Sequence, residues 1–436
     1  MTALDRLPDA LRGKLVVPGD SRYPTLRSTY TKTFSPAAVL LPASTAEVVA
    51  ALRYAREQAG PISVRSGGHG LHGHSSNNGG VVIDLSALNR VEVLDRRTRL
   101  VRVGPGARWA RVAQALAPHG LAISSGDHGN VGVGGIATGG GVGWLVRQYG
   151  LTIDHVRAVE VVLADGTVVR ADAEHEPDLF WAVRGAGGGV GIVTAFEIEA
   201  MELDRIGVAQ VVVEAGRDGL ALRQWADYLA EAPRELSTAV SLLPYGRGTA
   251  LSIVAVVASG HPRRLREAVR PLTEIGTGLL DQSSQVVPYP ALVSTAHLHA
   301  NVGQQPAETT NGLLAGMSHE DAAALVATAS GPDRALVQLR SVGGAVNDVP
   351  AEATAYPHRH QRTLVVASTF PPRAGAGLDR AWRRLADRVD GAYVNFESRP
   401  SRASFDRSYP GATGRRVTDL WRRYDPDAVF RPPHLR

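Results

Sequence analysis

The sequence predicts an α+β protein in two parts, and three observations carry that prediction. At 436 residues the chain exceeds the roughly 250–300 residues at which a single hydrophobic core stops growing, so at least two domains are expected. The first 200 or so positions hold two dense glycine clusters beside a βαβ-like unit. Near residue 203 the glycine clusters give way to strand-like runs alternating with helical runs, the pattern of an antiparallel sheet covered by helices.

In chain order, Pro36-Ala37-Ala38-Val39-Leu40-Leu41-Pro42 reads as a strand. Ser44-Thr45-Ala46-Glu47 then has capping-box spacing and opens a helix running through Arg56. Strands at 62–64 and 81–85 flank the first glycine loop, Val64-Arg65-Ser66-Gly67-Gly68-His69-Gly70. Strands at 91–94 and 100–103 precede Gly104-Pro105-Gly106 and a helix over 109–116. The stretch 126–150 is rich in glycine but lacks the serine and proline bias of a flexible linker, and it ends in what looks like a packed helix start, Trp144-Leu145-Val146-Arg147. Asp165-Gly166 is a hairpin turn between strands at 156–163 and 167–171. A helix at 178–184 leads through the glycines of 185–189 to a strand at 190–199. Beyond residue 203, strands are expected at 207–214, 238–243, 250–257, 336–341 and 364–368, with helices at 218–231, 262–274, 318–328 and 377–389. The tail from Tyr393 breaks the period, and no internal repeat or low-complexity tract is present.

Composition narrows the function classes. Hydrophobic content of 44% and charged content of 20% describe an ordinary globular protein. The net charge of +5 comes from scattered arginines, with no basic run interleaved with aromatics, so it reads as a general field for anionic ligands and not as a nucleic-acid patch. Without cysteine there are no disulfides, thiolate metal sites or cysteine nucleophiles. The start, Met1-Thr2-Ala3-Leu4-Asp5-Arg6-Leu7-Pro8, lacks a signal peptide's apolar core, and no apolar run approaches the roughly 20 residues of a membrane span. The expectation is a cytoplasmic protein, monomer or homodimer, with neither membrane nor nucleic acid as partner.

The glycine clusters point to a ligand. Successive glycines let backbone N–H groups converge on an anion such as a pyrophosphate, because no Cβ blocks the approach. His69 sets a nucleophilic nitrogen beside whatever those amides bind. The second cluster, Gly132-Val133-Gly134-Gly135-Ile136-Ala137-Thr138-Gly139-Gly140-Gly141-Val142-Gly143, has too many glycines and no following acid for a Rossmann turn. Packing turns are the plain alternative; two such clusters in one domain favour an extended phosphate-bearing ligand between them. His69, His72 and His74 lack a partner set at zinc spacing, so no metal is expected. His155 and His175 read as surface or structural residues.

The two glycine segments resemble the FAD-binding domain of the vanillyl-alcohol-oxidase/p-cresol-methylhydroxylase (VAO/PCMH) superfamily, in particular its berberine-bridge-enzyme-like members and the 6-hydroxynicotine-oxidase-like branch. The residues that carry the resemblance are Arg65-Ser66-Gly67-Gly68-His69, Val131-Gly132-Val133-Gly134-Gly135, Gly139-Gly140-Gly141-Val142-Gly143, Arg147-Gln148-Tyr149-Gly150-Leu151 with Asp154, and Leu179-Phe180-Trp181-Ala182-Val183-Arg184-Gly185. Tyr393-Val394-Asn395-Phe396 and Tyr424-Asp425-Pro426 extend it over nearly the whole chain.

The resemblance implies a PCMH-type FAD-binding domain (1–202), a substrate domain of antiparallel sheet covered by helices (203–390), and a segment (391–436) returning to the FAD domain. It implies an 8α-histidyl bond from His69 to FAD. The cofactor would further meet Arg65, Ser66, Gly67, Gly68, Gly70, His74 and Ser75, with the amides of 66–70 on its pyrophosphate. His128, Val131, Gly132, Gly134, Gly135, Thr138, Gly139, Gly140 and Gly143 would line it, with Gly191, Val193, Tyr393 and Asn395. Many relatives add a cysteinyl bond; that position is His128 here, so only one bond is implied, and His128 is either a space-filling ring or an acid/base. Val131 stands where a small residue leaves oxygen access open, which favours an oxidase.

Two departures concern the base. The usual Tyr-x-Asn-Tyr reads Tyr393-Val394-Asn395-Phe396, so one phenol is missing. Gln338 and Arg340 occupy positions where plant relatives place a base or its activator. Arginine stays protonated, so Arg340 either binds a carboxylate or tunes a phenol in the pocket, or forms a surface salt bridge. Base candidates are Tyr393, His128 and Tyr356. The implied activity is an oxidase taking a hydride from a C–H beside OH or N of a small organic, secondary-metabolite substrate, with O2 as acceptor. The alternatives are a dehydrogenase that does not use O2, a flavin-containing cyclase or eliminase without net redox change, and a flavin-bound binding protein.

Overall fold

A computed structural model describes residues 7–246, 248–293 and 306–430. Three sheets organise it. The first joins β1 (Leu15–Val16), β2 (Ala38–Leu40), β3 (Ile62–Arg65) and β4 (Val81–Asp84) in the order β1-β2-β4-β3. Both β2 and β3 run parallel to β4, which is the expected βαβ connection. The connecting helix, Thr45–Glu57, buries Val48, Ala51, Leu52 and Ala55, the three- and four-residue spacing of one helical face. Ser44 Oγ accepts from the Glu47 N–H at its start, but the Glu47 carboxylate returns to the Ala43 N–H, one residue short of a closed capping box.

The second sheet contains β5 (Val91–Asp95), β6 (Leu100–Val103), β8 (Val156–Val162), β9 (Val168–Asp172) and β10 (Ile192–Glu199), ordered β5-β6-β10-β8-β9; β7 (Leu121–Ala122) and β11 (Met201–Glu202) form a short separate ladder. Helices Trp109–Leu116 and Pro177–Ala186 cover it. Two tail helices, Arg402–Ser408 and Gly411–Tyr424, add Phe405, Val417 and Trp421 to the same core, with Val159, Phe180 and Phe196.

The third sheet is antiparallel throughout. Its strands are β12 (Arg205–Gly216), β13 (Leu236–Tyr245), β14 (Gly248–Val257), β15 (Gly278–Pro288), β16 (Glu308–Leu314), β17 (Leu336–Ser341) and β18 (Thr363–Thr369), in the order β15-β12-β14-β13-β17-β18-β16. Helices Leu220–Glu231, Pro262–Thr273, His319–Ala329 and Ala374–Trp382 pack on one face around Trp225, Leu251, Val337 and Leu339. Because side chains alternate along a strand, Gln338 and Arg340 lie on the opposite face, toward the first part of the chain.

The two parts are joined by apolar packing and by buried cations, among them Arg359, which pairs with Asp154, and Arg147. Val142, Val146 and Ile153 pack with Leu313, Val342 and Leu364. Arg147 donates to the carbonyls of Leu229, Ala232, Pro233 and Leu236, at and just beyond the end of helix Leu220–Glu231. The carbonyls of Leu229 and Ala232 are among those a helix C-terminus leaves unpaired, so the side chain from one part caps a helix of the other.

Several elements depart from the sequence reading. The helix expected at 377–389 is Ala374–Trp382; the Leu385 and Arg388 amides bond three residues back, tightening the chain before Asp390 N–H reaches Leu313 O. Strand β15 escaped notice because it is an edge strand, exposed along most of its length, without apolar alternation. In the tail, Gly411–Tyr424 buries Gly414, Val417, Leu420 and Trp421 at helical spacing, but glycine and arginine dilute the pattern. Within the second glycine cluster Val133–Gly139 is helical, anchored by buried Val133, Ile136 and Ala137 against weak propensity.

Candidate functional site

Strand β3 delivers the first glycine loop, and Arg65 fixes its base. The Arg65 guanidinium is buried, donates to the carbonyls of Leu26, Ser28 and Ser75, and lies 3.4 Å from Asp84. Its side chain is therefore occupied within the fold and leaves only the backbone of this residue to meet a ligand. Ser66 Oγ donates to Pro105 O at 2.6 Å and accepts from Gly134 N–H at 3.1 Å, tying the two glycine segments together. Gly67 and Gly132 meet back to back: a Cβ on Gly67 would lie 2.3 Å from Gly132 N. Arg108 spans both loops, donating to Gly67 O at 2.7 Å and Asn130 O at 2.6 Å. The two clusters thus form one continuous floor, and part of their glycine content serves loop-to-loop contact.

His69 stands on this floor. Its ring stacks on Tyr30 at 4.9 Å between centroids and lies 5.6 Å from the ring of His128. The Nε2 atom is buried without a hydrogen-bond partner among the described residues. Burial, followed by the positive charge of Arg108 and then by His128, pushes the imidazole down to about 3. The ring is therefore neutral at ordinary pH, with its lone pair available. Further along the chain, Ser75 Oγ is also buried and unpartnered, and His74 stacks on His72 at 3.8 Å.

The tail and the third sheet close the site from above. Tyr393 is buried and packs edge-on against Tyr356 and Phe396. Its hydroxyl accepts from Gly141 N–H at 2.9 Å and Asn395 Nδ2 at 2.8 Å. Burial raises the phenol above its ordinary range, and those two donors only partly offset it. Asn395 Nδ2 also reaches Gly135 O at 3.2 Å, and the Asn311 side chain brackets the Tyr393 backbone. Gly140, at φ +142°, lies under Tyr393, where a Cβ would come within 2.8 Å of the ring. Burial also pushes Tyr356 upward. Gln338 donates to Ser241 Oγ at 3.2 Å.

Arg340 is neither free in the pocket nor on the surface. Its Nε and Nη2 donate to Asp127 Oδ2 at 2.9 and 2.5 Å, and its guanidinium sits 4.8 Å over the Phe396 ring. His128, the next residue after Asp127, accepts the Asn130 N–H at Nδ1 (3.2 Å).

The structure thus brings Ser66, Gly67, His69, His128, Gly132, Gly134, Gly139, Gly140, Tyr356, Tyr393, Asn395 and Arg340 into one connected region. Gly70 faces the His72 ring, Gly143 abuts Ser125 O, and Gly68 takes φ +71° in the loop. Thr138 Oγ1 bonds its own helix at Gly134 O, its methyl facing Gly187. Val131 is partly buried, its amide bonded to His128 O. Val193 points into the core and Gly191 presses on Val161 and Val162, so only their backbones are left to contact a ligand. Asp127 and Arg108 were missed by sequence reasoning: each acts through a partner far along the chain, which no local motif records. Among the described residues no cluster of potential metal ligands occurs, and no helix is long and apolar enough to cross a membrane.

Comparison with known proteins agrees with this geometry. Residues 36–172 match the family model described as an FAD binding domain. The (R)-6-hydroxynicotine oxidase of Paenarthrobacter nicotinovorans is 36% identical over 200 residues, a match spanning 45% of this chain and 43% of that relative. The FAD-linked oxidoreductase sorD of Penicillium rubens is 29% identical over 455 residues, spanning 95% of this chain and 93% of its own. In fold, glucooligosaccharide oxidase from Acremonium strictum, described as carrying a 6-S-cysteinyl, 8α-N1-histidyl FAD, aligns with TM-score 0.83 at 22% identity, over 98% of this chain and 100% of that one. With an FAD binding domain over residues 36–172, the glycine floor and a roof of this topology, the chain is an FAD-dependent oxidoreductase that shares the fold of the glucooligosaccharide oxidase.

Proposed function

We propose that the protein is a flavin-dependent oxidase that removes a hydride from a C–H beside OH or N of a small organic substrate and uses O2 as acceptor, with FAD attached by one covalent bond at His69. The observation that carries this reading is the His69 imidazole: neutral, stacked, with a buried and unpartnered Nε2 above two fused glycine loops. An orphaned nitrogen in such a place is costly unless a ligand engages it, and Ser75 Oγ, six residues on, is a second buried orphan. Both fit a flavin dinucleotide, which when bound supplies the hydride-accepting chemistry. The histidyl linkage of the glucooligosaccharide oxidase supports the role of His69. In this chain the residue facing it is His128, and with no cysteine anywhere a thioether is ruled out.

The chain's own groups divide the remaining work. Loop amides around 66–70 meet the phosphates, Tyr393 and Asn395 hold the ring edge from the tail, and His128 presents its imidazole. Val131, a small side chain at the floor's edge, keeps oxygen access open. The third sheet, through Gln338 and Arg340, bounds the substrate.

Acid-denatured protein is expected to stay yellow and fluorescent, and His69→Ala to release its flavin; free FAD in the wild-type supernatant would overturn the attachment. Anaerobic addition of candidate secondary alcohols, amines and sugars should bleach the flavin band, with H2O2 formed on readmitting air. Product without bleaching would point instead to a non-redox cyclase, and bleaching that air does not reverse to a dehydrogenase.

A further inference from the structure

Phe396 leaves the pocket without one expected phenol, and the base candidates read from the sequence each have a physical objection. The Tyr393 oxygen already accepts two hydrogen bonds and is held protonated by burial. Tyr356 is buried and likewise pushed upward. His128 accepts at Nδ1 from a backbone amide, so the lone pair of that nitrogen is already engaged. Arg340 is a permanent donor.

Asp127 remains. It lies on the floor loop between β7 and helix Val133–Gly139, one residue before His128, facing the roof strand β17. Both Arg340 donors converge on one carboxylate oxygen, Oδ2, while Oδ1 has no partner among the described residues. The pair is enclosed but not sealed, with side chains 27% and 16% exposed for Asp127 and Arg340. The guanidinium lies over Phe396, which itself packs on Tyr393, so the pair stands beside the ring that takes the place of the missing phenol. Its charge also contributes to the upward shift of the Tyr393 phenol, as expected of two groups facing one cavity.

We propose that Asp127 Oδ1 is the proton acceptor of this pocket and that Arg340 is its positioning residue. The proposal rests on the oxidase reading above. The substrate O–H or N–H proton passes to Oδ1, and the electron pair of that bond becomes the new C=O or C=N bond as the adjacent C–H leaves as hydride to FAD. O2 later takes up those two electrons and two protons as H2O2. Arg340 withdraws Oδ2 from competition and aims Oδ1 at the substrate.

The test uses the flavin-loaded protein and has one arm that needs no substrate. Dye-coupled reduction gives the midpoint potential of the bound flavin. Asp127→Asn should raise it by removing a negative charge, Arg340→Gln should lower it, and the double variant should return toward wild type. In the second arm, the compound that bleaches the wild type should reduce Asp127→Asn about 10²-fold more slowly or worse. Asp127→Glu should recover part of that loss, and Arg340→Lys should recover less of the Arg340→Gln loss than a conserved charge would suggest, because lysine lacks the two-pronged geometry. Asp127→Ser serves if the asparagine variant loses its flavin. An unmoved potential, or bleaching within threefold of wild type, overturns the proposal. A yellow protein that no compound bleaches fails the oxidase reading instead, and the potential then decides whether the carboxylate faces the ring.

Discussion

The floor and the roof of this site are built by opposite means. The floor, residues 65–70 and 126–143, works through backbone: glycines allow Gly67 and Gly132 to touch, and side chains such as Arg65 and Ser66 are spent on holding the loops. The roof, the seven-stranded sheet, works through a few side chains at alternate positions of β17, on a scaffold fixed by strand pairing on both sides. A backbone-built surface suits a constant ligand, because its contacts do not depend on side-chain identity. A side-chain-built surface can change its chemistry by one substitution without disturbing the sheet.

The comparison can be broken first where the two halves are joined. Arg147→Leu removes a buried cation, whose burial already lowers it to about 10, and takes a donor from four carbonyls, those at the end of helix Leu220–Glu231 included. A loss of roughly 3–5 kcal/mol in urea unfolding is expected. A loss below about 1 kcal/mol would mean that the apolar packing and the other ion pairs between the parts hold floor to roof without Arg147.

On the floor, Gly67→Ala places a Cβ against Gly132 N and Cα, backbone that cannot step aside, and against the Arg108 side chain. An overpacking loss of about 2–3 kcal/mol is expected, with weakened flavin retention. Gly135→Ala, where a Cβ meets nothing within 4 Å, should cost well under that, so the two substitutions together separate packing glycines from the rest.

His358 supplies a pH-dependent comparison under the roof. Burial holds it down at about 4, with Nε2 donating to Ser408 O. Its folded value lies below its unfolded one, so its contribution is present above about pH 6.5 and is lost as pH falls toward 4. Unfolding free energy of the flavin-free protein should fall over that window by about 2–3 kcal/mol from this group. His358→Gln should flatten that slope, whereas an unchanged slope would move its origin elsewhere. The smallest effect is expected at the exposed edge strand β15, where Ser283→Thr should stay within about 0.5 kcal/mol.

Much of the fold was legible. The helix at 109–116 and the strand at 336–341 stand where apolar spacing puts them. Strand β16, buried nearly throughout, escaped because Glu308-Thr309-Thr310-Asn311-Gly312 carries no apolar pattern; the other misses lie where a segment shows little apolar period of its own. Edge strand β15 buries too little to show a period, and the tail helix Gly411–Tyr424 gets its helicity from docking on the second sheet. At the site, the glycine loops and His69 are local in sequence and could be read there. The Asp127–Arg340 pair spans 213 residues and the Tyr393–Gly141 bond 252, so neither leaves a local mark.

By itself the sequence determined that a histidine sits in a glycine loop, that no thiol exists for a thioether, and that position 396 has no hydroxyl. These are statements about which atoms are present, and composition settles them. Only the tertiary structure decided which oxygen could take a proton. That depends on which lone pairs are already occupied, and occupancy is set by groups that the chain brings together only when sheet, loop and tail have closed on one another.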